Sequence, residues 1–318
     1  MDRPFPSDDR LQLMQRGVQQ LSTWLSDLLR VGLLEYDFSP DSLQELAGRM
    51  VDAKLAGIAR RIRLLSELNK SDKHWKRDLL QALTKLHLFT VNFQKLDSQS
   101  AIFQQTLLSV AGFIIKKEQL PQEEAIVDHW VPWGISHSQE ENLRVRRCWV
   151  AGMNSKRVAM LLDFAWGRTD YTQEYHYNKT YTGALVYYPS TFPMRAQLFN
   201  PQVEKKSAGR LPSFQSFETF LLQYAKAIAR NPWIGSFPAA FSGMQVIRNE
   251  GAFYLLDKNG GLLPIDGSND LCWALMGAGA GHHDDLQLFG EWSGFELAII
   301  SFSATDKVHD AAWLNDFA

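Results

Sequence analysis

Cysteine is nearly missing from this chain: among 318 residues only Cys148 and Cys272 carry a thiol, and they stand far apart. A stapled secreted domain needs more cysteines at closer spacing, and a structural zinc site needs four ligands, so neither is expected. Two reduced, buried thiols in a reducing compartment is the reading that remains. An excess of charge of one sign is missing too. The net charge is −2; residues 1–120 hold 17 basic and 14 acidic side chains, and the remainder 16 and 21. Neither part is basic enough to mark a nucleic-acid binder by charge alone. No run approaches the roughly 18 apolar residues of a membrane span. Pro4, Pro6, Asp8 and Asp9 stand where a signal peptide would carry a basic start and an apolar run. The cytoplasm is the expected compartment, with no membrane partner.

What is present is the composition of a packed protein. Hydrophobic residues make up 45% and charged residues 21%, which leaves disorder without support. Nineteen Phe and ten Trp supply large, rigid side chains for a core.

The first 120 residues read as helix. Leu11, Met14, Val18, Leu21, Leu25 and Leu28 recur at three- and four-residue spacing. Ser7 is placed to cap this helix and Gly32 to end it. Ser39-Pro40-Asp41 opens a second helix, whose apolar stripe runs through Leu43, Leu46, Met50, Ala53, Ile58, Ile62 and Leu65 despite Gly57. A third helix runs from about Trp75 to Phe93, with Leu79, Leu83, Leu86 and Val91 as its core face. A fourth covers roughly Ala101 to Ile115. Four helices with short connections indicate a small bundle.

After Pro121 the pattern changes to short segments rich in β-branched and aromatic residues. Strands are expected at Trp130 to Ile135, Leu143 to Val150, Val158 to Phe164, Tyr181 to Tyr188 and Met194 to Phe199. Arg144 and Arg146, with Val145 between them, alternate as on a strand with one wet face. Pro201 to Pro212 reads as a polar loop, and Phe214 to Arg230 as a helix stopped by Asn231-Pro232. Further strands follow near Met244, Ala252, Leu262, Leu286 and Phe295, with a short helix from Asn269 to Met276. The expected fold is α+β: an N-terminal helical bundle (1–120), then a mostly antiparallel β-rich domain with one longer helix (121–318).

No motif announces chemistry. Gly277, Gly279 and Gly281 lack the strand-before, helix-after context of a phosphate loop, and a connector is the expected reading. His282, His283, Asp284 and Asp285 are acceptable metal ligands, but neighbours in sequence rarely converge on one ion, so a solvated loop tip is expected. There is no Gly-x-Ser-x-Gly elbow. Glu123-Glu124 and Glu140-Glu141 fall in polar connectors, and His74 and His87 on helices. No catalytic residue, metal or cofactor is assigned, and a non-enzymatic protein is expected. Two basic patches remain: Lys54, Arg60, Arg61 and Arg63 on the second helix, and Arg144, Arg146 and Arg147 beside Trp149 on a strand. Arginine beside an exposed aromatic suits a phosphate and a stacked base. Nearby acidic residues make solvated, ion-paired faces the plainer reading.

Several strings, in order, resemble the region that follows the finger in bacterial SWIM zinc-finger family proteins. They are Ala47 to Ala53 followed by Gly57 to Arg63, Leu83 to Leu88 with Leu96-Asp97, Leu143 to Arg147 followed by Trp149, Asn231-Pro232-Trp233, and Gly290 to Gly294. The ordered set, spanning about Leu21 to Ile300, carries the resemblance. The family's Cys-x-Cys…Cys-x-His finger is not in this sequence, so no metal ligand is carried over. Members are commonly encoded beside MoxR-type AAA ATPases and von Willebrand factor A-domain proteins. The resemblance therefore implies an adaptor working with such partners. The alternative is a nucleic-acid-binding module using the two basic patches.

Overall fold

The structure is a computed structural model, and it describes residues 4–140, 142–167, 169–204, 212–279, 286–304 and 307–312. The chain divides into two compact units. The first comprises the chain up to Gln119 together with two short later segments, Pro189–Thr191 and Asn231–Trp233; the second comprises the rest.

Among the described residues five α-helices build the first unit: α1 (Asp8–Val31), α2 (Pro40–Asp52), α3 (Ala56–Arg63), α4 (Trp75–Phe93) and α5 (Ala101–Ala111). On α1 the expected stripe is the buried one, from Met14 through Leu28, with Gly17 added to it. Ser39 caps α2 by accepting from the Ser42 amide, and Pro40 occupies the first turn, where its missing N–H costs nothing. Ser7 makes no such bond at α1.

The stripe expected to be one helix from Ser39 to Leu65 is two. Lys54 takes a left-handed φ of 63°, which ends α2, and the fully buried Leu55 starts α3. Gly57 is what this break serves. A Cβ there would fall 2.4 Å from the Val110 carbonyl oxygen, and one on Gly112 would fall 2.5 Å from the Gly57 nitrogen. The start of α3 thus touches the end of α5 backbone to backbone, which two glycines permit. On α4 the core face continues through Phe89 and Phe93 while Val91 is exposed, since a helix turns about 100° per residue.

Trp233 completes this core from far along the chain. Its ring is 5% exposed, lies 6.1 Å from Phe103, and donates its indole N–H to the Lys85 carbonyl at 2.9 Å. Thr191 donates its amide to the Thr106 hydroxyl at 2.9 Å, and Asn231 donates to the Ser190 hydroxyl. These bonds explain the Asn-Pro-Trp string: Asn231 also accepts from the Trp233 amide, closing the turn that presents the indole.

In the second unit, β1 (Ile126–Glu140), β2 (Leu143–Gly152), β3 (Val158–Trp166), β4 (Thr180–Tyr187) and β5 (Arg195–Glu204) form a closed barrel in the order β1-β2-β3-β5-β4. β1 pairs antiparallel with both β2 and β4, and β3 meets β5 in parallel. This is the strand order of an OB-type Greek-key barrel. β1 is far longer than the expected Trp130–Ile135, because a bulge between Pro132 and Gly134 lets one strand bend around the barrel.

A seven-stranded sheet makes the other layer. Its main path joins β6 (Phe237–Ser242), β10 (Gln287–Trp292), β11 (Leu297–Ser303), β9 (Leu262–Asp266), β8 (Ala252–Leu256) and β7 (Gln245–Asn249), and β12 (His309–Asp310) also pairs with β11. α6 (Phe217–Arg230) and α7 (Asn269–Gly279) contribute Phe217, Phe220, Leu271 and Leu275 to the core of this layer. A separate cluster, with Val131, Trp133, Trp149 and Ala151 from the barrel and Ala240 and Phe289 from the sheet, joins the two. The expected loop from Pro201 begins instead as the end of β5, and residues 205–211 lie outside the described residues.

Candidate interaction surface

The first basic patch does not present one face. Arg60 and Arg63 are exposed on α3, whereas Arg61 is half-buried between the buried Ala59 and Ile62 rows. Burial lowers the Arg61 pKa, and the neighbouring Arg60 charge lowers it further. Lys85 on α4 is lowered by burial and by Arg61 in turn.

The second patch is divided between the two sides of β2. Side chains alternate along a strand, so Arg144, Arg146 and Cys148 take the inner side, and Val145, Arg147 and Trp149 the outer. The face expected to be wet is the interior. Arg146 is 2% exposed; it pairs with Asp163 at 2.9 Å and Glu174 at 3.4 Å, and also donates to the Gln173 carbonyl. Tyr171 and Tyr175 rings flank its guanidinium at 4.2 and 5.1 Å. Burial raises the Asp163 carboxyl pKa despite the hydrogen bond from Arg146. Arg144 is half-buried, donates to the Thr169 carbonyl and lies 5.6 Å from the Tyr171 ring.

On the outer side, Trp149 is fully buried and donates its indole N–H to Glu291 at 2.8 Å; Arg147 donates to the same oxygen at 3.1 Å. The structure therefore brings Arg147 and Trp149 together, but on a carboxylate of β10, with no open ring left for a base. Arg146 is a strut inside the barrel. Neither it nor Trp149 is available as the exposed partner that the sequence suggested.

What the outer side does expose lies one step further along. Register pairs Val145 with Phe164 and Leu143 with Trp166. Phe164 is 51% and Trp166 63% exposed, while Leu143 and Leu162 beside them are half-buried and Val145 is buried. The flanking row on β1 carries Ser136 and Ser138. Apolar centre and small polar flank are the pattern of an interaction surface. Sequence reading placed β3 but missed this strip. Its signal is large apolar residues at every second position, Met160, Leu162, Phe164 and Trp166, carried past the point where a covered strand would end. Which of them stays open is a property of the neighbouring layer.

The other candidates carry less. Cys148 and Cys272 are both free and buried. Burial drives the Cys148 thiol pKa far up and raises that of Cys272 to about 11, so both stay protonated at neutral pH. Among the described residues no group of three or more His, Cys, Asp or Glu side chains is placed to hold a metal ion, and no helix is long and apolar enough to cross a membrane. Gly277 and Gly279 lie in α7; Gly281, His282, His283, Asp284 and Asp285 fall outside the described residues, as does Glu141.

Comparison with known proteins adds one match. Residues 9–111 match the family model of the SWIM-associated four-helix bundle domain, in agreement with the resemblance to the region that follows the finger in SWIM zinc-finger proteins. No curated protein and no solved structure matches the chain significantly.

Proposed function

Taking the helical unit as a SWIM-associated four-helix bundle, we propose that this chain is a non-enzymatic adaptor acting in the cytoplasm. The observation that carries the proposal is the exposed Phe164–Trp166 strip beside Leu143 and Val145. Aromatic anchors of this kind dominate binding energy when a partner covers them. The buried ionisable groups, by contrast, are spent on internal bonds: Arg146 on Asp163 and Glu174, and Glu291 on Arg147 and Trp149. The family resemblance supplies the partners, a MoxR-type AAA ATPase and a von Willebrand factor A-domain protein.

A nucleic-acid module remains the alternative reading, but geometry favours it less. It asked for Arg60, Arg61 and Arg63 together with Arg144, Arg146 and Arg147 around an open Trp149; Arg60 and Arg63 are exposed, but Arg146 and Trp149 are buried. The test is an affinity pull-down from native lysate, with and without ATP and after nuclease treatment, read by mass spectrometry. An AAA ATPase or an A-domain protein among the recovered proteins is the expected result. Recovery of nucleic acid and its usual followers alone would sink the adaptor reading.

A further inference from the structure

The outer face of β2 and β3 is one surface in two halves. In the first, Trp149 and Ala151 on β2 and Val158 and Met160 on β3 are packed in the cluster that includes Phe289 of β10. Phe289 stacks on Trp133 at 5.1 Å and lies 6.4 Å from Trp149. Two residues on, Glu291 takes the Trp149 and Arg147 donors. The covering strand therefore advances along β2 from Trp149 towards Arg147. It then stops: Ser293 and Gly294, the latter at φ 107°, turn the chain back into β11. The apolar rows continue without it, as Val145–Phe164 and Leu143–Trp166, and in each pair the β3 ring is the exposed member.

We infer that the open half receives an extended apolar segment of a partner protein, laid along β2 and β3 where β10 leaves off. This rests on the adaptor reading and names the chemistry of its partner. Side chains on one face of an extended strand repeat at roughly 6.5–7 Å, so a segment with apolar residues at alternate positions matches the spacing of Phe164 and Trp166. The intramolecular cover of the first half is likewise an extended strand, with Phe289 and Glu291 two residues apart and both facing the barrel; only Phe289 of the two is apolar.

Charge decides against a nucleic acid on the same face. Barrels with this strand order do bind oligonucleotides there, but such binding combines stacking with a cationic groove. The outward-facing positions Leu143, Val145, Arg147 and Trp149 on β2 and Met160, Leu162, Phe164 and Trp166 on β3 include one cation, Arg147, and Glu291 pairs with it at 3.1 Å. The flanking Ser136 and Ser138 are uncharged.

The test uses the full chain and fluorescein-labelled probes read by anisotropy: a short peptide alternating Val or Leu with Thr, the same residues scrambled so that alternation is broken, and an oligothymidylate. The alternating peptide binds most tightly, with little response to salt. The double substitution Phe164→Ser, Trp166→Ser weakens it by about tenfold or more. Val127→Ser, at a 74% exposed position on β1, leaves binding unchanged. Tight oligothymidylate binding that falls steeply with salt, binding that survives the double substitution, or no preference for alternation would each overturn the inference. The adaptor reading fails separately. If both wild type and the double variant recover the ATPase from lysate, the strip is wrong and the adaptor stands; if wild type recovers none, the adaptor falls first.

Discussion

The two units hold themselves together in different ways. In the helical unit the core is apolar, from Met14 to Ala111 with Trp233 added; among the described residues its fully buried polar side chains are the uncharged Thr90, Gln105 and Thr106, and Arg61 is only half-buried at its edge. In the β-rich unit the described residues include four buried charged side chains, Asp128, Arg146, Asp257 and Glu291. For Asp128 and Asp257 the contrast follows from where backbone groups find partners, whereas Arg146 and Glu291 pair with other side chains. A helix bonds its own N–H and C=O groups along its length, so its core needs little polar help. Barrel and sheet strands end in turns whose amides face inwards, and side chains must receive them. Asp128 accepts from the amides of His129, Asn154 and Ser155 and so closes the β2–β3 turn. Asp257 accepts from Phe217, Asn259 and Gly261, tying the first turn of α6 to the β8–β9 connection.

The largest test of this contrast is Arg146→Ala. It leaves Asp163 without its cation inside the barrel and is expected to cost about 3–5 kcal/mol, seen as a drop in the denaturant midpoint. Arg146→Leu combined with Asp163→Leu recovers much of that loss, since a buried ion pair is worth little over a packed apolar pair. A single Arg146→Ala loss under about 1 kcal/mol would erase the difference between the units.

Trp233→Ala probes the helical side. It is expected to cost about 3–5 kcal/mol through the cavity it leaves, with faster hydrogen exchange in α4 and α5. Trp233→Phe keeps most of the volume and forfeits the bond to Lys85, so its loss is smaller. Equal losses would mean that the hydrogen bond, not packing, holds the segment, against the picture of a hydrocarbon core.

Asp128 separates the units by pH. Burial alone would raise its pKa, yet the hydrogen bonds from Ser155, Asn154 and His129 outweigh it and leave the carboxyl below its ordinary value; Asp257 behaves alike. Because the folded value lies below the unfolded one, the stabilisation is complete above the ordinary carboxylate range. It is lost as pH falls through that range towards the folded value. Asp128→Asn should therefore flatten the acid limb of β-unit unfolding, followed by tyrosine and tryptophan signals from the barrel. An unchanged acid limb would show that this carboxylate does not carry the pH dependence. Smallest of all, the Phe164→Ser, Trp166→Ser pair should move stability by about 0.5 kcal/mol, because each residue is already more than half exposed.

Much of the helical unit was legible as periodicity. The α1 stripe and the Ser39-Pro40 start lie where spacing put them. The Lys54 break did not show, because the apolar stripe runs across it unbroken, and only the close approach at Gly57 and Gly112 calls for a bend there. The candidate site was less legible. Alternation along β2 separates Arg146 from Arg147 onto opposite sides, but it does not say which side is inside. Arginine usually faces water, so the sequence points Arg146 outwards; three acceptors and two tyrosine rings reverse that.

By itself, the sequence determined the division into a helical and a β-rich part, the helix faces, and most strand positions, since these depend on local period and turn residues. The tertiary structure alone decided which strands close the barrel, which side of β2 is the interior, and that Phe164 and Trp166 remain open. Those are contacts between residues far apart in the chain, and an exposed aromatic differs from a buried one only in what the rest of the fold lays over it.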